Sequence, residues 1–137
     1  MTITDFLLAR IAEDEAAARG CLEYGEGRWR WIDPLGKVKQ ALVDERDVTV
    51  LPSAWGDVYP SVSVADHIAR HDPARTLREC EAKRRIVERH EIIEYRSLEW
   101  YSLTDMKIGE YIEREETLRI LASVYSDHPD YSDEWAL

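Results

Sequence analysis

The stretch Asp72-Pro73-Ala74-Arg75 decides the fold, because it fixes the residue at which the longest helix begins. An aspartate can cap a helix with a side-chain oxygen, and a proline is already constrained to the backbone angle of the first helical position. The chain that follows contains neither glycine nor proline until Gly109. We therefore predict a helix of at least five turns that begins at Pro73 and ends between Tyr95 and Leu103.

The sequence before this stretch predicts a helix, a small sheet and a second, short helix. Apolar residues recur at helical spacing over residues 4–19 and stop at a glycine. Three runs rich in strand-forming residues come next, with turn-forming residues between them. These strands cover residues 28–32, 38–43 and 48–51. A fourth strand is expected near Val58-Tyr59, and a short helix capped by Ser63 is expected to end near His71.

A last helix, capped by Thr104-Asp105 and running to about Tyr125, completes the predicted elements. No repeat, low-complexity segment or linker divides the chain, so we expect residues 1–137 to form a single domain. The predicted fold class is α+β. It has an N-terminal helix, a small antiparallel sheet of three or four strands, and then two or three helices, including the long one from Pro73, packed as a layer on the sheet.

Composition and charge exclude several classes of protein. A chain of 137 residues, 45% hydrophobic and 34% charged, can bury a core of its own without disulfides or a metal. The net charge is −10, of which −6 falls in residues 104–137, and this opposes direct binding to nucleic-acid phosphates. The longest apolar stretches are too short to cross a membrane, and the first residues lack the pattern of a signal peptide. We therefore expect a soluble cytoplasmic protein that does not contact a membrane.

Histidines and cysteines give only weak indications of chemistry. His67 and His71 are four residues apart, so one helix could present both imidazoles to a metal, and His90 is a further candidate ligand. A third ligand is missing from the pair, which favours structural or solvent-facing roles. Cys80 and His90 are some 15 Å apart on a helix at ~1.5 Å per residue, too far to form a nucleophile–base pair. We predict no catalytic residue, no cofactor and no metal ion.

Aromatic residues are the candidate interaction residues. Trp29 and Trp31 are two apart on a predicted strand and must point to the same face, which belongs either to the core or to a binding patch. An aromatic residue in the polar tail must either dock onto the domain or contact a partner. The candidate interaction residues are Trp29, Trp31, Trp100, His128, Tyr131 and Trp135.

Several motifs along nearly the whole chain resemble one family. They are His67-Ile68-Ala69-Arg70-His71-Asp72-Pro73-Ala74-Arg75, Glu81-Ala82-Lys83-Arg84-Arg85-Ile86, Thr117-Leu118-Arg119, His128-Pro129-Asp130-Tyr131 and Glu134-Trp135. Together they resemble a family of small actinobacterial and actinobacteriophage proteins known as a domain of unknown function. Many relatives have a cysteine cluster that, with the equivalent of His90, looks like a zinc site. Residues 91–137 of this chain contain no cysteine, so the resemblance implies an actinobacterial or phage origin but no zinc site and no reaction.

These observations favour a non-enzymatic protein-interaction module that binds a host protein or a second copy of itself through exposed aromatic residues. The resemblance implies that such a module is of phage or actinobacterial origin. Binding to a second copy would make a homo-oligomer. Two alternatives stay open. One is an acidic decoy that occupies a nucleic-acid-binding surface, because the −6 excess lies at one end of the sequence. The other is a metal-binding protein that uses His67, His71 or His90.

Overall fold

The computed structural model describes residues 1–32, 41–52, 62–98 and 115–137, which form an α+β fold. The elements in chain order are α1 (Ile3–Gly20), a short 3-10 helix (Cys21–Tyr24), β1 (Arg30–Ile32), β2 (Ala41–Val43), β3 (Thr49–Pro52), α2 (Val62–Arg70), α3 (Pro73–Leu98), α4 (described over residues 115–123) and a 3-10 turn (Asp133–Trp135). The predicted fold class, N-terminal helix, antiparallel sheet and long helix are confirmed. The fourth strand expected near Val58-Tyr59 lies outside the described residues.

The chain packs as two compact units. Unit 1 consists of Met1–Glu13 and Cys80–Leu137, and unit 2 consists of Asp14–Glu79. Each unit therefore contains part of α1 and part of α3. The expectation that residues 1–137 form a single domain stays a prediction.

The sheet of unit 2 is an antiparallel meander in the order β1-β2-β3. All three residues of the central strand β2 are buried, as expected for a strand with neighbours on both edges. The turn between β2 and β3 lies where the sequence predicts one, and it closes with a hydrogen bond from the Asp44 amide to the Val48 carbonyl. Asp47 takes a positive φ of 64° in this turn, a conformation that Asp tolerates better than most residues.

The start of α3 is fixed by its cap and by a close contact with the glycine loop, Gly25-Glu26-Gly27. The Arg75 amide donates to Asp72 Oδ1 at 2.7 Å, and the Trp29 amide donates to Asp72 Oδ2 at 3.3 Å. The Ala74 amide donates to the Gly27 carbonyl at 3.0 Å. These bonds satisfy two of the amides that a helix N-terminus leaves unpaired, so α3 begins at Pro73 as predicted.

Two details of the helix predictions are refined. The short helix α2 is present, but it begins at Val62, so the expectation that Ser63 caps it is wrong: Ser63 lies within the first turn. The helix α4 ends at residue 123, close to the predicted end at Tyr125, and its predicted start at Thr104-Asp105 lies outside the described residues.

The core of unit 1 is built from one stripe of each of three helices. It contains Phe6, Leu7, Ile11, Cys80, Val87, Leu118 and Ala122. Within each helix these residues are spaced by one, four, five or seven positions, which places them on one face. Burying each of the large side chains contributes roughly 1.5–3 kcal/mol. A second layer packs partly buried against this core, and it includes the tail residues Tyr125, Tyr131 and Trp135.

Within the described ranges, no helix combines the length and the apolar character that a bilayer crossing requires.

Candidate functional site

Three of the six candidate interaction residues meet around one buried ring of unit 1. Phe6 is fully buried, and its ring centroid lies 5.0 Å from that of Trp135, 6.0 Å from that of Tyr131 and 5.9 Å from that of His128. The contacts with Tyr131 and His128 are edge-to-face, the arrangement that aromatic quadrupoles prefer. We call Phe6 with these three rings the tail cluster. The tail aromatics therefore dock onto their own chain while each stays half-buried.

The tail reaches Phe6 through a series of tight turns. The His128 amide donates to the Tyr125 carbonyl at 3.0 Å, and the Tyr131 amide donates to the His128 carbonyl at 2.9 Å. Ser132 then caps the last turn, accepting from the Glu134 amide at 3.4 Å. Each turn reverses the chain within a few residues, so aromatic residues spaced three or four apart converge on one neighbour.

Arg10 is the charged residue that holds the tail cluster. It is 7% exposed, and its guanidinium carbon lies 5.3 Å from the centroid of the Phe6 ring. Nη2 donates to Glu13 Oε1 at 2.7 Å, and Nη1 lies 3.4 Å from Asp130 Oδ2. Nη1 also lies 2.7 Å from both ring nitrogens of His128. Two carboxylates thus compensate a buried cation that cannot lose its proton.

The His128 ring has a defined acceptor atom. The Asp130 amide donates to His128 Nδ1 at 3.1 Å, so Nδ1 is the acceptor in this contact. Nε of Arg10 is buried and has no hydrogen-bond partner among the described residues. These contacts bind the tail to α1.

Sequence reasoning missed Arg10, although its spacing gave a signal. Arg10 follows Phe6 by four residues and Leu7 by three, so it lies on the buried face of α1. A charged residue on the apolar face of a helix is expected to have a partner, and here the partners come from a segment about 120 residues later.

The tryptophans of β1 form a separate group in unit 2. Trp29 and Trp31 are half-buried, whereas Arg28 and Arg30 are exposed, which is the predicted alternation. Trp31 pairs with Leu42 of the central strand. Both indole Nε1 atoms are buried and have no hydrogen-bond partner in the described part of the chain. Trp100, the remaining candidate, lies outside the described residues.

The turn after β2 contains a carboxylate, Asp44, that accepts four hydrogen bonds. Asp44 has a fully buried side chain that accepts from the Val48 amide at 2.7 Å, from the Arg46 amide at 2.9 Å and from the Arg46 guanidinium at 2.9 and 3.0 Å. Burial acts to raise the pKa of Asp44, but these hydrogen bonds and the Arg46 charge together lower it below its usual value. In turn, the hydrogen bond to Asp44 and the negative charge of its carboxylate raise the pKa of the Arg46 guanidinium. The bonds all lie within one turn, which indicates a structural role.

Glu45, the next residue, connects this turn to the glycine loop through a hydrogen bond. Its Oε1 accepts from the Glu26 amide at 2.8 Å, and this bond lowers the pKa of the Glu45 carboxyl. A Cβ on Gly25, which has φ 102°, would lie 2.3 Å from the same oxygen. The glycines of Gly25-Glu26-Gly27 therefore serve a turn.

The candidate metal ligands are only partly assembled. The exposed rings of His67 and His71 lie 4.4 Å apart, centroid to centroid. His90 is on α3 in unit 1, where Nδ1 lies 2.7 Å from the Ile86 carbonyl, and Cys80 is buried in the core. Among the residues that the structure describes, no three His, Cys, Asp or Glu side chains are grouped as metal ligands.

The outer face of α4 is a second surface feature of unit 1. Leu118 and Ala122 are buried in the core, whereas Ile120 is 51% exposed and Val124, just after the helix, is 63% exposed. A shallow groove of about 310 Å³ lies beside this face. Its lining residues are Glu115, Glu116, Arg119, Ala136 and Leu137. We call this groove, with Ile120 and Val124, the α4 surface.

Comparison with known proteins gives the family of the chain. Searches of curated proteins and of solved structures give no match to it. A family model does match, and it covers residues 1–137. Its description is a family of unknown function, DUF6221. The resemblance inferred from the motifs is thereby confirmed at the level of a family without an assigned function, and the chain belongs to DUF6221.

Proposed function

We propose that this protein is a non-enzymatic interaction module that binds a protein partner through the α4 surface. The observation that carries the proposal is that α4 has apolar side chains on two opposite faces. Leu118 and Ala122 fill the core, and Ile120 projects about 200° away from Leu118 at ~100° per residue. An apolar outer face in a polar setting is typical of a protein-binding site.

The partner's chemistry follows from what surrounds these apolar residues. Glu115 and Glu116 line the groove, and Arg119 is neutralised by Glu115 at 2.8 Å. Residues 104–137 have an excess charge of −6. An apolar segment flanked by Lys or Arg complements this surface, because the apolar side chain covers Ile120 and Val124 while the cations face the carboxylates. The partner class is therefore a protein with an apolar, basic segment.

The half-buried tail aromatics have a supporting role in this proposal. Tyr131 and Trp135 pack on Phe6, and the area that each ring leaves exposed is offered as additional contact area for the partner. We further propose that the partner is a host protein or a second copy of this chain, met in the cytoplasm, and that the chain is of actinobacterial or phage origin.

A binding experiment with surface variants tests the proposal. The double variant Ile120→Ser/Val124→Ser removes apolar area from exposed positions, so it should leave the fold intact and weaken partner binding at least tenfold. The matched control is Val48→Ser/Leu51→Ser, which changes two residues of similar exposure in unit 2. Partners are captured from an actinobacterial lysate and then titrated as purified proteins, and self-association is followed by sedimentation.

The salt dependence of the same titration separates this proposal from the acidic-decoy alternative. An increase in ionic strength from about 0.1 to about 0.5 M should remove only the part of the affinity that the flanking cations contribute, because screening acts on exposed charges and leaves the apolar contact in place. A decoy for nucleic-acid-binding surfaces should lose most of its affinity over this range. Equal binding by the native protein and the α4 variant would refute the proposal.

A further inference from the structure

We infer that His67 and His71 form a two-ligand site on the surface of unit 2 for a divalent transition-metal ion, such as Zn²⁺, that is intermediate between hard and soft. The two residues are four apart, the spacing that puts both side chains on one face of a helix. Helical hydrogen bonding continues to His71, whose amide donates to the His67 carbonyl at 3.1 Å. The helical geometry therefore holds both imidazoles side by side.

The distance between the rings suits one metal ion. Two nitrogen ligands at ~2.0–2.1 Å from a tetrahedral ion are about 3.3 Å apart. The ring centroids of His67 and His71 are 4.4 Å apart with an interplanar angle of 38°, so small side-chain rotations bring two nitrogens to that separation. Two histidines spaced by four on a helix are also the arrangement that zinc-protease helices use.

Both rings are accessible and have no competing hydrogen bond. His67 and His71 are exposed, and within the described part of the chain neither imidazole has a hydrogen bond. Two acids adjoin the pair in the sequence, Asp66 and Asp72. Asp72 is already used, because its two oxygens accept from the Trp29 and Arg75 amides, and among the described residues no third His, Cys, Asp or Glu side chain is grouped with the two histidines. The site therefore has two protein ligands, and water fills the remaining positions on the ion.

The ligand type defines the class of metal. Imidazole nitrogens select Zn²⁺, Ni²⁺ and Cu²⁺, whereas Mg²⁺ and Ca²⁺ prefer oxygen ligands.

Calorimetric titration of the untagged, chelator-washed protein with Zn²⁺ tests the inference. The native protein should bind one Zn²⁺ at this site, and Mg²⁺ should give no signal. The variants His67→Asn and His71→Asn should each weaken Zn²⁺ binding at least tenfold, because each leaves a single ligand. Both substitutions are at exposed positions, and circular dichroism verifies that the variants fold.

A matched control keeps the number of histidines constant. The double variant Asp66→His/His67→Asn still has two histidines on α2, but they are five residues apart and point about 140° apart at ~100° per residue. It should bind Zn²⁺ as weakly as the single variants. Cys21, a half-buried thiol of unit 2, is retained in every protein, so its contribution cancels. Native Zn²⁺ affinity in the three variants, or no binding by the native protein, would overturn the inference.

Discussion

Arg10 shows how one side chain fixes a distant segment. Its guanidinium contacts Glu13 on its own helix and both His128 and Asp130 in the tail. Replacing it with methionine keeps most of the apolar length but leaves these partners without the cation. Because Glu13 and Asp130 are more than half exposed, water can solvate them again, and the loss should be about 1–2 kcal/mol.

Urea unfolding followed by tryptophan fluorescence measures the effect of Arg10→Met. The matched control is Arg19→Met on the same helix, where an exposed arginine pairs with Glu15 at 3.9 Å. That surface pair should contribute less than about 0.5 kcal/mol. Equal stability losses in the two variants would mean that Arg10 does not hold the tail.

The Asp44 carboxylate makes the free energy of unfolding depend on pH in the acidic range. Hydrogen bonds from Val48 and Arg46 outweigh the effect of burial and hold the pKa of Asp44 below its ordinary value of 3.8. The folded protein therefore binds this proton less tightly than the unfolded chain. The carboxylate stabilises the fold above pH 3.8, and this contribution is lost as the pH falls through the lower pKa of the folded state.

Asp44→Asn should therefore lower Tm at neutral pH by roughly 5 °C and flatten the decline of Tm in acid. Thermal unfolding at several pH values between about 2.5 and 7 measures both effects. Asp66→Asn, at an exposed position of α2, serves as the control and should follow the native profile. An acid decline as steep in Asp44→Asn as in the native protein would contradict this account.

At the scale of elements, the start of α3 depends on a glycine that approaches it closely. Gly27 has φ 77°, and a Cβ there would lie 2.9 Å from Pro73 Cβ and 2.9 Å from Leu22 Cδ2. Gly27→Ala should therefore cost about 1–3 kcal/mol through backbone strain and displacement of the helix start. Gly20→Ala is the control, since a Cβ there meets nothing within 4 Å and alanine favours the helix. Chemical denaturation of both variants tests this, and a neutral Gly27→Ala would refute it.

The elements themselves were predictable because their signals are local. The Asp72-Pro73 cap predicted the start of α3 at Pro73, and the absence of glycine or proline afterwards placed its end between Tyr95 and Leu103, a range that includes the observed end at Leu98. Periodicity predicted α1 to within one residue at each end. The candidate site was less predictable. Docking of Trp135 and the burial of Arg10 depend on contacts between residues more than 100 positions apart, which no local pattern contains.

For the whole molecule, the division into two units raises the question of how many transitions unfolding shows. Both α1 and α3 run across the boundary, which falls between Glu13 and Asp14 in one helix and between Glu79 and Cys80 in the other. Helix formation is cooperative, so the loss of one half of each helix removes support from the other half. We therefore expect one cooperative transition for residues 1–137, as a single domain requires.

Hydrogen exchange on two variants tests this expectation. Trp135→Ala removes a half-buried ring from unit 1, and Val43→Ala removes buried methyl groups from unit 2, each at a cost of about 1–3 kcal/mol. If unfolding is a single transition, each variant lowers the protection of the most slowly exchanging amides in both units by the same free energy, because those amides exchange through global opening. If each variant lowers protection only in its own unit, the two units unfold independently, and the chain contains two domains although α1 and α3 run through both. The matched pair distinguishes these outcomes because neither side chain belongs to the other unit.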